Sequence, residues 1–318
     1  MQSAGVSEEP YSGTTTYTLN DAPRKAKVCM MENAFTIVRY SLSREEVSAV
    51  LADDGGLADE VRTRIQRLAR QHLDGSPGYL SFAGINGLDI AQGEVFTLAV
   101  SRMLGWLLPQ DASGTLLRRV TDRGVRLEDG KTGRRYSESR DGGYLHTDAP
   151  HTPPPLPDYF ALYCVHQAET GGVLCLVDVN DLVQRLPEWA VRILKQDFHF
   201  DRMLDTVKDP TVVRPILSLA PGDTRICYLR GYIEIAHRRP GVPDLTTDQR
   251  EAMDRLDALL DDPALQQRDR LRPGEIAFFN NRSLLHGRTA FEDRKDQKRM
   301  MLRTWIHRPP TDASLVSH

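Results

Sequence analysis

Cysteine is scarce in this chain of 318 residues. Cys29, Cys164, Cys175 and Cys227 stand far apart with no Cys-x-x-Cys pair, which excludes a disulfide-stapled scaffold and a cysteine-built zinc site. Cys164 and Cys175 lie in apolar runs, where buried thiols in a reducing compartment are expected. An excess of one charge sign is also missing. The net charge is −3, and no basic stripe is interleaved with aromatics, so nothing points to nucleic acid or to an anionic membrane surface. No apolar run reaches the roughly 20 residues of a membrane span, and the N-terminus lacks a basic-then-apolar leader. The expectation is a cytoplasmic protein with no membrane partner. Repeats and low-complexity tracts are absent too. At 40% hydrophobic and 27% charged residues, the composition suits a globular chain with ample core.

Residues 1 to about 27 are rich in Ser, Thr, Gly and charge and read as a flexible N-terminal segment, or alternatively as one that folds over the active site. Residues 34–40 read as a short strand. Leu57, Val61, Ile65 and Leu68 recur at helical spacing, and 94–107 reads as a second helix that includes Trp106. Both read as scaffold. A β-rich part begins at 116–127, with a hairpin-type turn at 128–131 and a charged, glycine-containing mouth or lid at 134–143. Strands fit 158–166, 173–177, 211–220 and 225–235. Helices fit 180–196 and 246–260, the second with Thr246 and Gln249 spaced as a capping box.

The chemistry concentrates in three stretches. In Tyr144-Leu145-His146-Thr147-Asp148, alternate side chains of an extended strand share a face, so His146 and Asp148 aim at one point. In 273–288, a Pro-Gly turn, an apolar strand, the Asn280-Asn281 turn and a second strand present His286 within His-Gly-Arg. One carboxylate and two imidazoles compose the 2-His-1-carboxylate triad, which leaves metal positions open. Along 299–306, period two sets Arg299, Met301, Arg303 and Trp305 on one face and Met300, Leu302, Thr304 and Ile306 on the other. Two arginines on a core strand call for anions, and a guanidinium grips a carboxylate bidentately.

His146-x-Asp148, the distal His286 and an arginine thirteen residues beyond it resemble the Fe(II)/2-oxoglutarate dioxygenases of the taurine dioxygenase and clavaminate-synthase-like group, over roughly 116–308. The resemblance implies a mainly β fold with flanking helices, a double-stranded β-helix or distorted, cupin-like jelly roll. It makes 28–318 one oxygenase domain with a helical insert at about 178–262. It also implies that His146, Asp148 and His286 hold Fe(II), and that 2-oxoglutarate is the cosubstrate with its far carboxylate on Arg299. O2 is the oxidant, an unactivated C–H bond is oxidised, and 2-oxoglutarate leaves as succinate and CO2. Hydroxylation heads the outcomes, with desaturation, cyclisation and epimerisation beside it.

Arg303 is placed for the cosubstrate or for an acidic group on a small-molecule substrate, and Tyr144, His151 and Arg225 are further candidates for substrate contact. That profile fits an amino acid or derivative of secondary metabolism, or a taurine-like sulfonate. One departure stands out: members of the group carry a threonine after a Gly-Gly pair, whereas Gly171-Gly172 is followed here by Val173-Leu174. Two other readings use the same residues. A hydrolase could hold zinc with the triad, and a non-catalytic jelly roll could bind 2-oxoglutarate as a sensor. Oligomeric state leaves no mark on the sequence.

Overall fold

Strand Tyr159–His166 shows how the fold is built, because its side chains alternate between two separate cores. Tyr159, Ala161 and Tyr163 face one cluster, and Phe160, Leu162 and Cys164 face another. The partner strand Met300–His307 does the same, with Leu302 and Ile306 on the first side and Met301 and Trp305 on the second. In this computed structural model the described residues are 15–17, 37–53, 55–124, 138–204, 207–220 and 223–308.

The large sheet runs in the order Thr15–Tyr17, Val38–Ser41, Tyr79–Ala83, Ile276–Asn280, Tyr159–His166, Met300–His307, Trp106–Leu108, and Leu117–Val120 also pairs with Met300–His307. A smaller antiparallel sheet holds Leu174–Asp178 between Gln267–Asp269 and Leu284–Arg288. Leu174, Leu176 and Leu284 meet Phe160, Leu162, Met301 and Trp305 between the sheets, which is the interior of a jelly roll. Outside the large sheet pack helices Gly55–His72 and Ile90–Arg102. The opposite face of the small sheet, with Cys175, Val177 and Leu285, is covered by the inserted helices Val179–Arg185, Glu188–Leu194, Arg230–Ala236 and Thr247–Leu260.

Local signals account for most boundaries. The capping box at Thr246 and Gln249 forms as the spacing predicts, and Asp89 with Gln92 makes another that starts its helix at Ile90, earlier than the expected 94. That helix ends at Arg102, and Trp106 lies on a strand edge, 60% exposed. The change occurs at Gly105, where a Cβ would lie 2.3 Å from the His307 carbonyl oxygen; only glycine lets this edge strand approach. The single helix expected over 180–196 is two, because Leu186 is extended (φ −69°, ψ 136°) before Pro187, which has no N–H to continue the first. The strand expected over 225–235 is strand Asp223–Ile226 followed by helix Arg230–Ala236. The expected strand at 34–40 is seen as Val38–Ser41. Within the stretch read as flexible, Thr15–Tyr17 pairs in parallel with Val38–Ser41. The turn at 128–131 and the start of the lid at 134–143 lie outside the described residues. Among the described residues, no helix is long and apolar enough to cross a membrane.

Candidate metal and cosubstrate site

His146 and His286 meet through one antiparallel bridge, with His146 N–H donating to the His286 carbonyl (2.9 Å) and His286 N–H to the His146 carbonyl (2.8 Å). This is all that forms of the strand expected around His146. The pairing sets both rings on one side with centroids 4.5 Å apart. His146 Nδ1 donates to the Tyr144 carbonyl at 3.0 Å, which turns Nε2 towards the interior as the lone-pair nitrogen. The His286 ring lies 4.2 Å from the ring of Phe160, which stacks in turn on Phe279.

Asp148 follows after Thr147, whose N–H donates to the Tyr228 carbonyl and whose hydroxyl accepts from Tyr228 N–H, both at 2.9 Å. The insert is thereby tied to the residue between the two candidate ligands. The Asp148 carboxylate accepts from the Arg303 guanidinium and from the Trp305 indole N–H, each at 2.8 Å. Its backbone is held by Asn281, whose Oδ1 accepts from Asp148 N–H at 2.7 Å and whose Nδ2 donates to the Asp148 carbonyl at 2.9 Å and to the Pro157 carbonyl at 3.1 Å.

One ligand atom from each of His146, Asp148 and His286 lies within 4.8 Å of the other two, and all three residues are buried. Burial drives both imidazoles to the neutral, metal-ready form: the His286 pKa is pushed down to about 3, and that of His146 is lowered. For Asp148 burial acts upward, but the Arg303 guanidinium and the Trp305 hydrogen bond outweigh it and hold the carboxyl ionised. Two neutral imidazoles and one carboxylate, with His286 Nδ1 buried and without a hydrogen-bond partner, fit a divalent transition metal. Among the described residues no other cluster of such side chains could hold a metal.

The same cavity is lined by Arg299, Met301, Arg303 and Trp305 from one strand, by Phe160, Leu162 and Leu174, by Gln110 and Val120, and by His151, Leu229 and Tyr232 at the insert. Arg303 Nε donates to Gln110 Oε1 at 2.9 Å, and its guanidinium lies 5.0 Å from the Trp305 ring. Arg299 is buried against the Phe291 ring. Leu174 faces the cavity where the resemblance called for a hydroxyl. Arg288 ties backbone together, donating to the carbonyls of Ser139 and Asp141.

Of the residues singled out from sequence, His146, Asp148, His286, Arg299, Arg303 and His151 converge on this cavity. Tyr144 does not. Its side chain is 71% exposed, and it is the Tyr144 carbonyl that serves the site. Arg225 does not either, because it sits in a separate groove beside Pro153, Pro154 and Arg214, on the ribbon where a longer strand was expected. Gln110 and Asn281 are polar contacts that sequence reading missed, and Trp305, expected on the inward face, is found to bond Asp148. Asn281 read as a turn residue, and only its burial betrays another role. Replacing Asn281 with alanine is expected to cost about 2–3 kcal/mol in urea unfolding, since buried partners lose their hydrogen bonds. Divalent metal affinity should fall about tenfold, as for residues that orient a ligand. Wild-type metal affinity in that variant would refute the positioning role.

A jelly roll with two imidazoles and a carboxylate at one end of its interior defines the class of Fe(II)/2-oxoglutarate-dependent dioxygenases. The chain belongs to the family described as taurine catabolism dioxygenase TauD, TfdA family, whose model matches residues 43–305. In this chain the buried His146, Asp148 and His286 are the residues that fit a metal ion. It is similar to FR-33289 synthase of Streptomyces rubellomurinus, 25% identical over 70% of this chain and 66% of that protein. A taurine hydroxylase-like protein of Stachybotrys chartarum is 26% identical over 71% of this chain and 59% of its own length. The chain thus spans about two thirds or less of these relatives. Asparagine oxygenase, solved with Fe(II), 2S,3S-3-hydroxyasparagine and succinate, superposes with a TM-score of 0.65 at 20% identity, covering 84% of this chain and 93% of that one. The non-heme iron oxygenase OrfP, solved with Fe, superposes at 0.58 with 18% identity over 84% and 93% of the two chains. Both likenesses speak to the fold.

Proposed function

We propose that this chain, as a single oxygenase domain over 28–318, oxidises an unactivated C–H bond of a small acidic or amino-acid-derived substrate, most simply by hydroxylation. The observation that carries the reading is the inward row of Arg299, Met301, Arg303 and Trp305 beside the buried triad. A zinc hydrolase has no use for two such arginines. A sensor has no use for an intact triad.

In this reading His146, Asp148 and His286 hold Fe(II), and Arg299 receives the far carboxylate of 2-oxoglutarate. When bound, the metal would let O2 act as the oxidant, with one oxygen atom going to succinate as 2-oxoglutarate loses CO2 and the other oxidising the substrate. The chain's own residues set position and exclude water. Phe160, Leu162, Leu174 and Met301 make the wall between the arginines apolar, which strengthens every charge contact inside. Arg303, paired with Asp148 and steadied by Gln110, lines the cavity on the side where an acidic group of the substrate would lie. His151, its ring 4.8 Å from that of Tyr232, borders the substrate end, and Tyr144 and Arg225 drop out of this role. The neighbours asparagine oxygenase and OrfP, solved with hydroxyasparagine and (3S)-hydroxy-L-Arg, lend support to an amino-acid-derived substrate. We assign the chain to a reducing compartment, the cytoplasm, on the buried free thiols of Cys164, Cys175 and Cys227.

The test is an anaerobic titration with Fe(II) and then 2-oxoglutarate, watching for the weak visible charge-transfer band, followed by a screen of amino acids, N-acyl amino acids and sulfonates for succinate release. A band with substrate-dependent succinate is expected. Tight zinc binding with no band would favour the hydrolase.

A further inference from the structure

Arg299 is gripped at one edge of its guanidinium by Gln167. Gln167 Oε1 accepts from Arg299 Nε at 3.2 Å and from Ala168 N–H at 2.9 Å, while its Nε2 donates to the Leu271 carbonyl at 2.7 Å. The last two contacts fix which way the amide points, so the oxygen is presented to Arg299. Both side chains are buried. Gly172 lies beneath them at φ +65°, and a Cβ there would stand 3.1 Å from Gln167 Oε1 and 3.2 Å from Arg299 Nε. The Phe291 ring covers the guanidinium, with its centroid 5.2 Å from Cζ, and the Arg299 backbone N–H donates to Asp293 at 2.7 Å. Leu174, the cavity-facing side chain two residues beyond Gly172, offers no hydrogen bond.

We propose that Gln167 is a positioning residue for the cosubstrate: by holding the Nε edge of Arg299, it sets the plane in which the guanidinium meets the distal carboxylate of 2-oxoglutarate. The proposal rests on the reading that Arg299 receives that carboxylate. A guanidinium is a planar fork, and its bidentate grip on a carboxylate lies in that plane. A neutral amide oxygen on Nε fixes the plane without cancelling the charge, as a carboxylate there would. The Phe291 ring and the close approach at Gly172 hold the plane of the group. With an aliphatic side chain at position 174, orientation falls to this clamp.

The experiment compares two ligands on anaerobic Fe(II)-loaded enzyme by calorimetry. These are 2-oxoglutarate and pyruvate, which shares the 2-oxo acid head and lacks the distal carboxylate. Gln167→Met keeps the length of the side chain and removes the acceptor. It is expected to weaken 2-oxoglutarate about tenfold, the scale of one hydrogen bond to a charged group, while pyruvate and Fe(II) bind as in wild type. Gln167→Glu keeps an acceptor for Ala168 N–H and adds a charge on Arg299. It should lose most of the preference for 2-oxoglutarate over pyruvate, and it decides the matter if the methionine variant does not fold. An unchanged preference in either folded variant, or parallel weakening of both ligands and of Fe(II), would overturn the proposal. The underlying reading is checked separately with Arg299→Ala: if that variant keeps the wild-type preference, the arginine assignment fails, whatever Gln167 does.

Discussion

Asp148→Ala abolishes Fe(II) binding and succinate formation together as the expected result, with metal affinity reduced at least about a thousandfold, equivalent to roughly 4 kcal/mol. The carboxylate is the one anionic member of the buried triad, and the two imidazoles on their own are neutral. Its loss also strands two donors, the Arg303 guanidinium and the Trp305 indole N–H, each 2.8 Å from a carboxylate oxygen. Arg303 is part-buried and also bonded to Gln110, so losing this partner costs about 1.5–3 kcal/mol, and metal-free Asp148→Ala should also unfold at lower urea than metal-free wild type. Asp148→Asn separates the effects. It keeps an oxygen for one donor and loses the charge, so it should recover part of the stability and little of the metal binding. Calorimetric titration with Fe(II) under argon, beside urea melts, reads both. Metal affinity within a few-fold of wild type in Asp148→Ala would remove Asp148 from the proposed ligand set.

The second large effect is expected at Arg299. Truncating one partner of a desolvated charge pair costs about 2–5 kcal/mol, so Arg299→Ala should raise the 2-oxoglutarate dissociation constant about a hundredfold or more. Fe(II) binding should change little, because Arg299 is held by Gln167 and Phe291, whereas Arg303 contacts Asp148 directly. Arg299→Lys is expected to fall between, since an ammonium restores charge but neither the bidentate grip nor the stacking on Phe291. The visible band measured across a 2-oxoglutarate series gives the constant. If Arg299→Ala binds 2-oxoglutarate like wild type, while Arg303→Ala does not, the two arginines exchange their proposed roles.

The clearest parts of the sequence were those governed by local rules. Alternation along 299–306 and 159–164 told which side chains share a face, because a strand's period is two whatever it packs against. The capping box at Thr246 is a contact within one helical turn and could be read directly. The break at Pro187 follows from an equally local rule, yet the apolar spacing over 180–196 outweighed it and one helix was expected where two form. Period-two reading paired His146 with Asp148 and Arg299 with Arg303, and the family resemblance joined His286 to them.

What only the tertiary structure decided is which of these side chains meet, and on what. Asn281 reaches Asp148 across 133 residues, Arg303 across 155 and Trp305 across 157, and hydrogen bonds of that span leave no periodic trace. Tyr144 sits two residues from His146 yet points outward, while its carbonyl does the orienting. Arg225 lines a separate groove with Pro153, Pro154 and Arg214. Gln110 and Gln167 gained a place only because the strands carrying Arg303 and Arg299 come to lie beside them. The sequence by itself determined faces, caps and the set of side chains capable of the chemistry, since these depend on neighbours along the chain. The contacts that orient that set were decided by packing, since they depend on neighbours brought together only by the fold.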